Sequence, residues 1–361
     1  MTHKREINLT EFLKVGPTES RDAELLAHGA YAPLTGFMNR DEYRSVLESL
    51  HLPQGAVFPL PIVLPVEEAV AQTLRVGDVL TINDGEGLKA EVRVEDLFRR
   101  DLMEEATRVF GTTNLAHPGV AGLLRQSAWC VAGPVDVKSL APSPYLEPAW
   151  PGEVKREISR RGWRTVTFFQ TRNPTHRAHE HMLKMALEMT DGIVLHPLVG
   201  PTKSDDVPPA IRMRSYRALI EEYFPKERIL LATFGAAMRY AGPREAVFHG
   251  LVRKNYGATH FIVGRDAAGV GNFYGANDAR LLFERLAAHM GLVPLTFDKI
   301  GYCPKCLGMA SQRSCPHQSL WLSMSGTMVR DLLSQGKRPP VEIMRPEIAD
   351  ILVEVYRSQK G

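Results

Sequence analysis

Five short runs rich in strand-forming residues recur from residue 165 onward: "TVTFF" (165–169), "GIVLH" (192–196), "RILLATF" (228–234), "THFIVG" (259–264) and "LVPLTF" (292–297). Between them lie helical patterns such as "HMLKMALEMT", "IRMRSYRALIEEYF" and "ARLLFERLAAHMG". The repeat of about thirty residues is that of βαβ units, because parallel strands can be joined only by a long crossover. The expectation is an α/β region with a parallel sheet covered by helices. Ligands of such sheets sit beyond the carboxyl ends of the strands. The stretches that follow these strands are polar or glycine-rich: "QTRNPTH", "HPLVGPTKSDD", "GAAMRYAGPRE" and "GRDAAGVG". They should converge on one rim.

The preceding 160 residues have a different rhythm. "AVFPLPIVLPV" (56–66), "VGDVLTI" (76–82) and "KAEVRVEDLF" (89–98) read as short strands broken by Pro, Gly and Asp. "INDGEG" (82–87) contains an Asp-Gly hairpin turn. Helices are fewer, "RDEYRSVLESL" (40–50) being one, and the Pro-rich "SPYLEPAWPGE" (143–153) marks a boundary. Three parts are expected: a β-rich domain over 1–155, the α/β domain over 156–300, and a small C-terminal segment over 301–361.

With 44 basic and 41 acidic residues the net charge is +3, too balanced for nucleic-acid binding by bulk charge. No apolar run has membrane-spanning length, and "MTHKREINLTEFL" lacks the apolar core of a signal peptide. A cytoplasmic protein is expected. Cys303, Cys306 and Cys315 fall within thirteen residues while Cys130 stands apart. In a reducing compartment such a cluster reads as a metal site rather than a disulfide framework. Cys130 reads as a buried strand residue.

The densest motif is "QTRNPTHRAHE" (170–180), directly after the first of the five strands. Asn173 suits an N-cap and Pro174 the first helical position. His176 and His179 are three apart and share a helix face. With Arg172 and the free amides of a helix start, this is an anion site for phosphate or sulfate. As a metal site the histidine pair is weaker, since no carboxylate is placed to complete it. Gly264, Gly269 and Gly271 of "VGRDAAGVG" would let backbone approach a ligand closely, with Arg265 supplying charge and Asp266 orienting it or holding a metal-bound water. In "SMSGTMVRDLLSQG" (323–336), Ser325 and Thr327 read as cap and first-turn residues with Arg330 one turn on, another phosphate cradle.

These motifs, with "MRYAGPREAVFH" (238–249), "FGTTNLAHPGV" (110–120) and "RPEIADIL" (345–352), resemble those of the ATP sulfurylase, or sulfate adenylyltransferase, family over nearly the whole chain. The resemblance implies ATP + sulfate → adenosine 5′-phosphosulfate + pyrophosphate, with Mg²⁺, in a Rossmann-like nucleotidyltransferase domain behind a PUA-like N-terminal domain. It assigns sulfate to Gln170, Arg172 and the backbone near Ala268. Thr171, Arg172 and Asn173 would line the reacting centre, and His176 and His179 would contact the nucleotide phosphates and the leaving pyrophosphate. Gly264, Arg265, Asp266 and Ala267 would border ATP, with Ile300 a backbone contact on the adenine side. Arg239 is either a charge for the site or scaffolding. Ala267 departs from the family's "GRDHAG", where a His stands, and removes one donor to ATP. Sulfate is a dianion at neutral pH, so its attack on the α-phosphorus needs positioning and charge neutralisation but no general base.

"YCPKCLGMASQRSCPH" (302–317) offers Cys303, Cys306, Cys315 and His317, a tetrahedral set resembling the zinc-bearing insert of bacterial members. Four protein ligands leave no open position, so the Zn²⁺ would be structural; His317, only two residues beyond Cys315, is the least secure of the four. The family also implies a homodimer. The chain stops soon after "RPEIADIL", so no kinase-like C-terminal domain is expected. Two other readings compete: adenylyl transfer to a phosphorylated metabolite, and RNA binding through the PUA-like half. Gln-x-Arg-Asn speaks for sulfate against the first. The balanced charge and the lack of a basic, aromatic-studded patch speak against the second.

Overall fold

The computed structural model describes residues 13–202, 206–265, 267–322 and 326–358. In the N-terminal half, a seven-stranded sheet is organised around the long strand Trp129–Ser139, which pairs with four others. Val79–Asn83 and Lys89–Arg93 form the expected hairpin. Asp84 Oδ1 accepts from the amides of Glu86, Gly87 and Leu88, which fixes its turn. Helices Pro17–Ala27, Arg40–Ser49 and Leu102–Phe110 pack around the sheet, more helix than the sequence pattern led one to expect. The 56–66 run is buried, yet only Leu64–Pro65 pairs as a strand. Pro59, Pro61 and Pro65 each lack the N–H that a ladder needs. Cys130 is fully buried in its strand.

The second half is the expected parallel sheet of five strands. In chain order they are Val166–Phe169, Gly192–Leu195, Ile229–Leu231, His260–Val263 and Val293–Thr296. Every pairing is parallel, and the spatial order is third-second-first-fourth-fifth. Such an order arises when the chain winds outward from its first strand and then returns to build on that strand's other side. The first and fourth strands are therefore neighbours whose connections depart in opposite directions, which opens a crevice between their carboxyl ends. Helices Arg177–Leu187, Pro209–Tyr223, Gly242–Asn255 and Asp278–Met290 cover the faces. A two-stranded antiparallel hairpin (Ile300–Cys303 with Gly308–Ser311) and helices Gly326–Ser334 and Pro346–Ser358 complete the fold.

One hydrophobic core runs from the N-terminal half into one face of the parallel sheet; the helices Pro209–Tyr223 and Pro346–Ser358 help bury the other face. Phe248 joins the halves, its ring 5.0 Å from Tyr31 and 5.6 Å from Phe58. Arg244 donates to three carbonyls of the N-terminal half, those of Val46, Leu47 and Pro59. No described helix is long and apolar enough to cross a membrane.

Candidate active site

A cavity of about 680 Å³ lies at the crevice between the first and fourth strands. The first-strand exit contributes Gln170, Thr171, Arg172, Asn173, His176 and His179 to its lining. The fourth-strand exit contributes Gly264, Arg265, Ala267 and Ala268, and Ile300 enters from the hairpin. Arg330 lines it from the helix Gly326–Ser334. Asp266 and Ser325 lie outside the described residues, and Thr327 falls in the first turn of that helix.

The helix after the first strand starts later than its sequence predicts. Asn173 is not its cap and Pro174 is not helical: the cap is His176, with extended backbone at φ −120°, and the helix begins at Arg177. Local bonds hold the intervening loop open. Thr171 Oγ1 accepts from the Asn173 amide and donates to the Asn173 carbonyl, both at 3.1 Å. That carbonyl also accepts from Tyr216 Oη at 2.8 Å, and the Arg177 amide donates to Ile343 O at 2.9 Å. A chain tied to side chains at these points cannot also make the first helical turn. The consequence is a polar loop, rather than a helix, along the cavity wall.

His176 and His179 stack, ring centroids 3.9 Å apart. Desolvation by the surrounding cavity wall pushes the His176 pKa down to about 4, although the residue is exposed to the cavity. His179 is driven down by burial and then by its neighbour His176. Both imidazoles are thus neutral at pH 7, each with one N–H to donate. His179 Nδ1 is buried without a partner. An arriving polyphosphate would reverse this balance, because anionic oxygens favour the protonated ring.

Arg172 reaches across the crevice. Its Nη2 donates to the Gly269 carbonyl at 3.3 Å, which ties the two strand exits together. Its Nη1 is buried without a hydrogen-bond partner and lies 3.7 Å from Asp206 Oδ2, itself buried and unbonded. The reading from sequence named the loop "HPLVGPTKSDD" as part of the rim but did not single out Asp206. His249 was also missed; it lines the cavity with Nε2 3.6 Å from Glu245 Oε1, and burial holds its pKa well down. Both fall inside stretches that the sequence marks, His249 at the end of "MRYAGPREAVFH" and Asp206 at the end of the rim loop, but their individual placement depends on packing between distant segments.

At the fourth-strand exit the backbone carries a surprise. Among Gly264, Gly269 and Gly271 only Gly271 has positive φ, while Ala268 adopts φ +57°. Its carbonyl accepts from the Gly242 amide at 3.1 Å, which pins this turn to the start of the helix Gly242–Asn255. A side chain at Gly264 would meet nothing within 4 Å, so its surroundings are open space on the cavity side.

Arg239 does not reach the cavity. It donates to both oxygens of Asp22 in the N-terminal half, at 2.6 and 2.7 Å, and so acts as scaffolding. A smaller cavity of about 190 Å³ lies there, between the two halves.

The hairpin supplies the opposite wall. Cys303, Cys306, Cys315 and His317 place their ligand atoms within 4.8 Å of one another. Cys306 and Cys315 Sγ are 3.8 Å apart, and His317 Nδ1 is 3.4 to 3.8 Å from the three sulfurs. Tetrahedral zinc with ordinary bond lengths requires S···S of about 3.8 Å and S···N of about 3.6 Å. The four residues therefore fit such an ion, His317 included. Backbone amides of Cys306 and His317 donate to Cys303 and Cys315 sulfurs, and Trp321 Nε1 donates to Cys315 Sγ at 3.3 Å. Tyr302, Met309 and Trp321 line the cavity, so the metal-binding turn and the cavity wall are one unit.

Comparison with known proteins agrees along the whole chain. The ATP-sulfurylase family model matches residues 148–355, and the PUA-like domain model matches residues 2–140. The sulfate adenylyltransferase of Symbiobacterium thermophilum is 51% identical over 346 residues, covering 95% of this chain and 88% of its own length. That of Synechococcus sp. (strain JA-3-3Ab) is 49% identical, covering 94% and 87%. Among solved structures, the hexameric APS kinase from Thiobacillus denitrificans superposes with a TM-score of 0.76 at 26% identity; the match covers 96% of this chain and 63% of that one.

Proposed function

The chain belongs to the ATP-sulfurylase family and is a nucleotidyltransferase with sulfate adenylyltransferase activity, and from that premise we propose how its cavity carries out the transfer. Sulfate is held by Gln170, by the Arg172 guanidinium and by the backbone at Ala268. ATP lies along the fourth-strand exit, bordered by Gly264, Arg265, Asp266 and Ala267, with its adenine towards Ile300 and the hairpin. Thr171, Arg172 and Asn173 surround the reacting phosphorus.

A sulfate oxygen bonds to the α-phosphorus in line with the departing group. The bond from that phosphorus to the bridging oxygen breaks, and its electron pair leaves with pyrophosphate. No proton has to be removed from the nucleophile, so no carboxylate is assigned as a general base. The barrier is lowered by fixed donors aimed at crowded negative charge in a shielded cavity. His176 and His179 donate to the β- and γ-phosphates, and their protonation follows the charge of the leaving pyrophosphate. The same groups serve the reverse reaction.

Mg²⁺ would accompany ATP and neutralise its phosphates; the carboxylates that could help hold it, among the described lining residues, are Asp206 and Glu342. The Cys₃His set would hold zinc as a closed structural cross-link of the hairpin. Thiols kept free for a metal fit a cytoplasmic setting, and a homodimer is the simplest assembly for the family.

The observation that carries this reading is the meeting of the two strand exits in one 680 Å³ cavity, bridged by Arg172. Pyrophosphate release from ATP should require sulfate, or molybdate as a mimic that gives an unstable product. Release that is independent of the oxyanion would refute it.

A further inference from the structure

The "MRYAG" loop after the third strand contains a strained residue. Tyr240 adopts φ +62°, a conformation that side chains with a Cβ avoid. Such a residue persists only where its surroundings over-determine it. Here they do. Glu245, in the first turn of the next helix, accepts from the amides on either side of Tyr240: Arg239 N to Oε1 at 2.8 Å and Ala241 N to Oε2 at 2.9 Å. The Tyr240 carbonyl accepts from Tyr274 Oη at 3.0 Å.

The clamp extends into the N-terminal half at two points. His117 Nδ1 accepts from the amides of Gly119 and Val120, which leaves its proton on Nε2. That Nε2 donates to Tyr274 Oη at 3.0 Å. The guanidinium of Arg239, the residue before Tyr240, is gripped by Asp22. Both His117 and Asp22 are buried.

All of this fixes one ring. Tyr240 is buried, lines the smaller cavity and not the large one, and its ring centroid lies 5.1 Å from the Arg172 guanidinium carbon. An aromatic face against a guanidinium restrains its plane without taking up its N–H groups, of which Nη2 already donates to Gly269 and Nη1 has no hydrogen-bond partner.

We propose that Tyr240 is a positioning residue for sulfate: clamped by Glu245 and anchored to the N-terminal half through Asp22 and His117, its ring holds the Arg172 guanidinium in the orientation that receives the oxyanion. This rests on the reading that Arg172 holds sulfate. It gives the N-terminal half a part in the reaction, although among the described residues it contributes nothing to the lining of the large cavity.

The test is steady-state kinetics of the full chain, with separate KM values for sulfate and ATP. Asn tolerates positive φ and lacks the ring, so Tyr240→Asn keeps the turn and removes the contact. It should raise the sulfate KM about tenfold or more, with the ATP KM within about twofold. Tyr240→Phe keeps the ring face and should restore the sulfate KM. Asp22→Asn loosens the anchor and should raise the sulfate KM about threefold, again without moving that for ATP. An unchanged sulfate KM in Tyr240→Asn, an equal rise in both KM values, or a Tyr240→Phe as impaired as Tyr240→Asn would overturn the proposal. If Tyr240→Asn does not fold, an unchanged sulfate KM in Asp22→Asn overturns it. Arg172→Lys in the same assay separates the two claims. If Arg172→Lys leaves the sulfate KM unchanged, the reading of Arg172 itself fails; if it raises the KM while Tyr240→Asn does not, only the role of Tyr240 fails.

Discussion

The cavity has two walls that treat their polar atoms in opposite ways. Around the first-strand exit, Arg172 Nη1, Thr175 Oγ1, His179 Nδ1 and Asp206 Oδ2 are all buried without hydrogen-bond partners. Across the cavity, no described nitrogen or oxygen of residues 300–322 is in that state. There the thiols, the imidazole and the indole of Trp321 are engaged with one another. A buried unsatisfied group costs about 1–3 kcal/mol, so the first wall is held at a cost that a ligand can recover. The second wall has settled its interactions internally and has the character of scaffold. Unused hydrogen-bonding capacity thus separates the two walls, while Arg100, His196, Arg212 and Arg253 carry it elsewhere in the fold.

The strongest way to break this contrast is to remove the central donor of the first wall. Arg172→Ala should lower sulfate-dependent turnover about 10²–10³-fold, the scale for losing a key anion donor, while the thermal transition stays near wild type. Near-normal turnover would mean that the unused donors are incidental.

The second wall should respond in the reverse sense. Cys315→Ser, or stripping with a chelator, should release one equivalent of zinc and lower Tm by several degrees; kcat should fall by no more than about tenfold. Metal analysis with calorimetry measures this. A loss of turnover as deep as that of Arg172→Ala, with Tm unmoved, would make the hairpin catalytic rather than supporting.

Acid should act mainly through the histidines of the first wall and of the core beneath it. The folded pKa of His176 lies at about 4 against an ordinary 6.5, and His179, His196 and His249 are displaced in the same direction by burial. Between those values the unfolded chain binds more protons than the folded one, so stability is full above about 6.5 and is lost as pH falls towards 4. Glu245 works the other way: burial raises it to about 7, so its contribution declines as pH rises from 4.5 to 7. The histidines outnumber it, and Tm should fall from pH 6.5 to pH 4, less steeply in His176→Asn. A Tm that is flat over this range would contradict the burial of neutral imidazoles.

The smallest effect concerns Ala267. Restoring an imidazole with Ala267→His adds a donor at the fourth-strand exit and should lower the ATP KM by about two- to fivefold, leaving that for sulfate unchanged. No change in the ATP KM would show that this exit already has all the donors it uses.

The sequence revealed the site more fully than the local backbone that builds it. The thirty-residue rhythm was enough to expect the parallel sheet, and the polar stretches after its strands do meet in one cavity. The Cys₃His spacing pointed to a set whose atoms lie at tetrahedral distances. Asn173 and Pro174 misled because capping preference is local, whereas Tyr216 and Ile343, which hold that loop, arrive from distant elements. Positive φ at two non-glycine residues carried no sequence signal: Ala268 is fixed by its bond to Gly242 and Tyr240 by Glu245. Asp206 and His249 lie in stretches that the sequence marked, yet neither stood out there, because their placement exists only through what folding sets beside them.

The most direct test of the central claim is a crystal structure with adenosine 5′-phosphosulfate bound. The account predicts the sulfate group within hydrogen-bond distance of Gln170, Arg172 and the Ala268 amide, with the phosphate facing His176 and His179. A nucleotide seated elsewhere, or a sulfate group with Arg172 turned away from it, would contradict it.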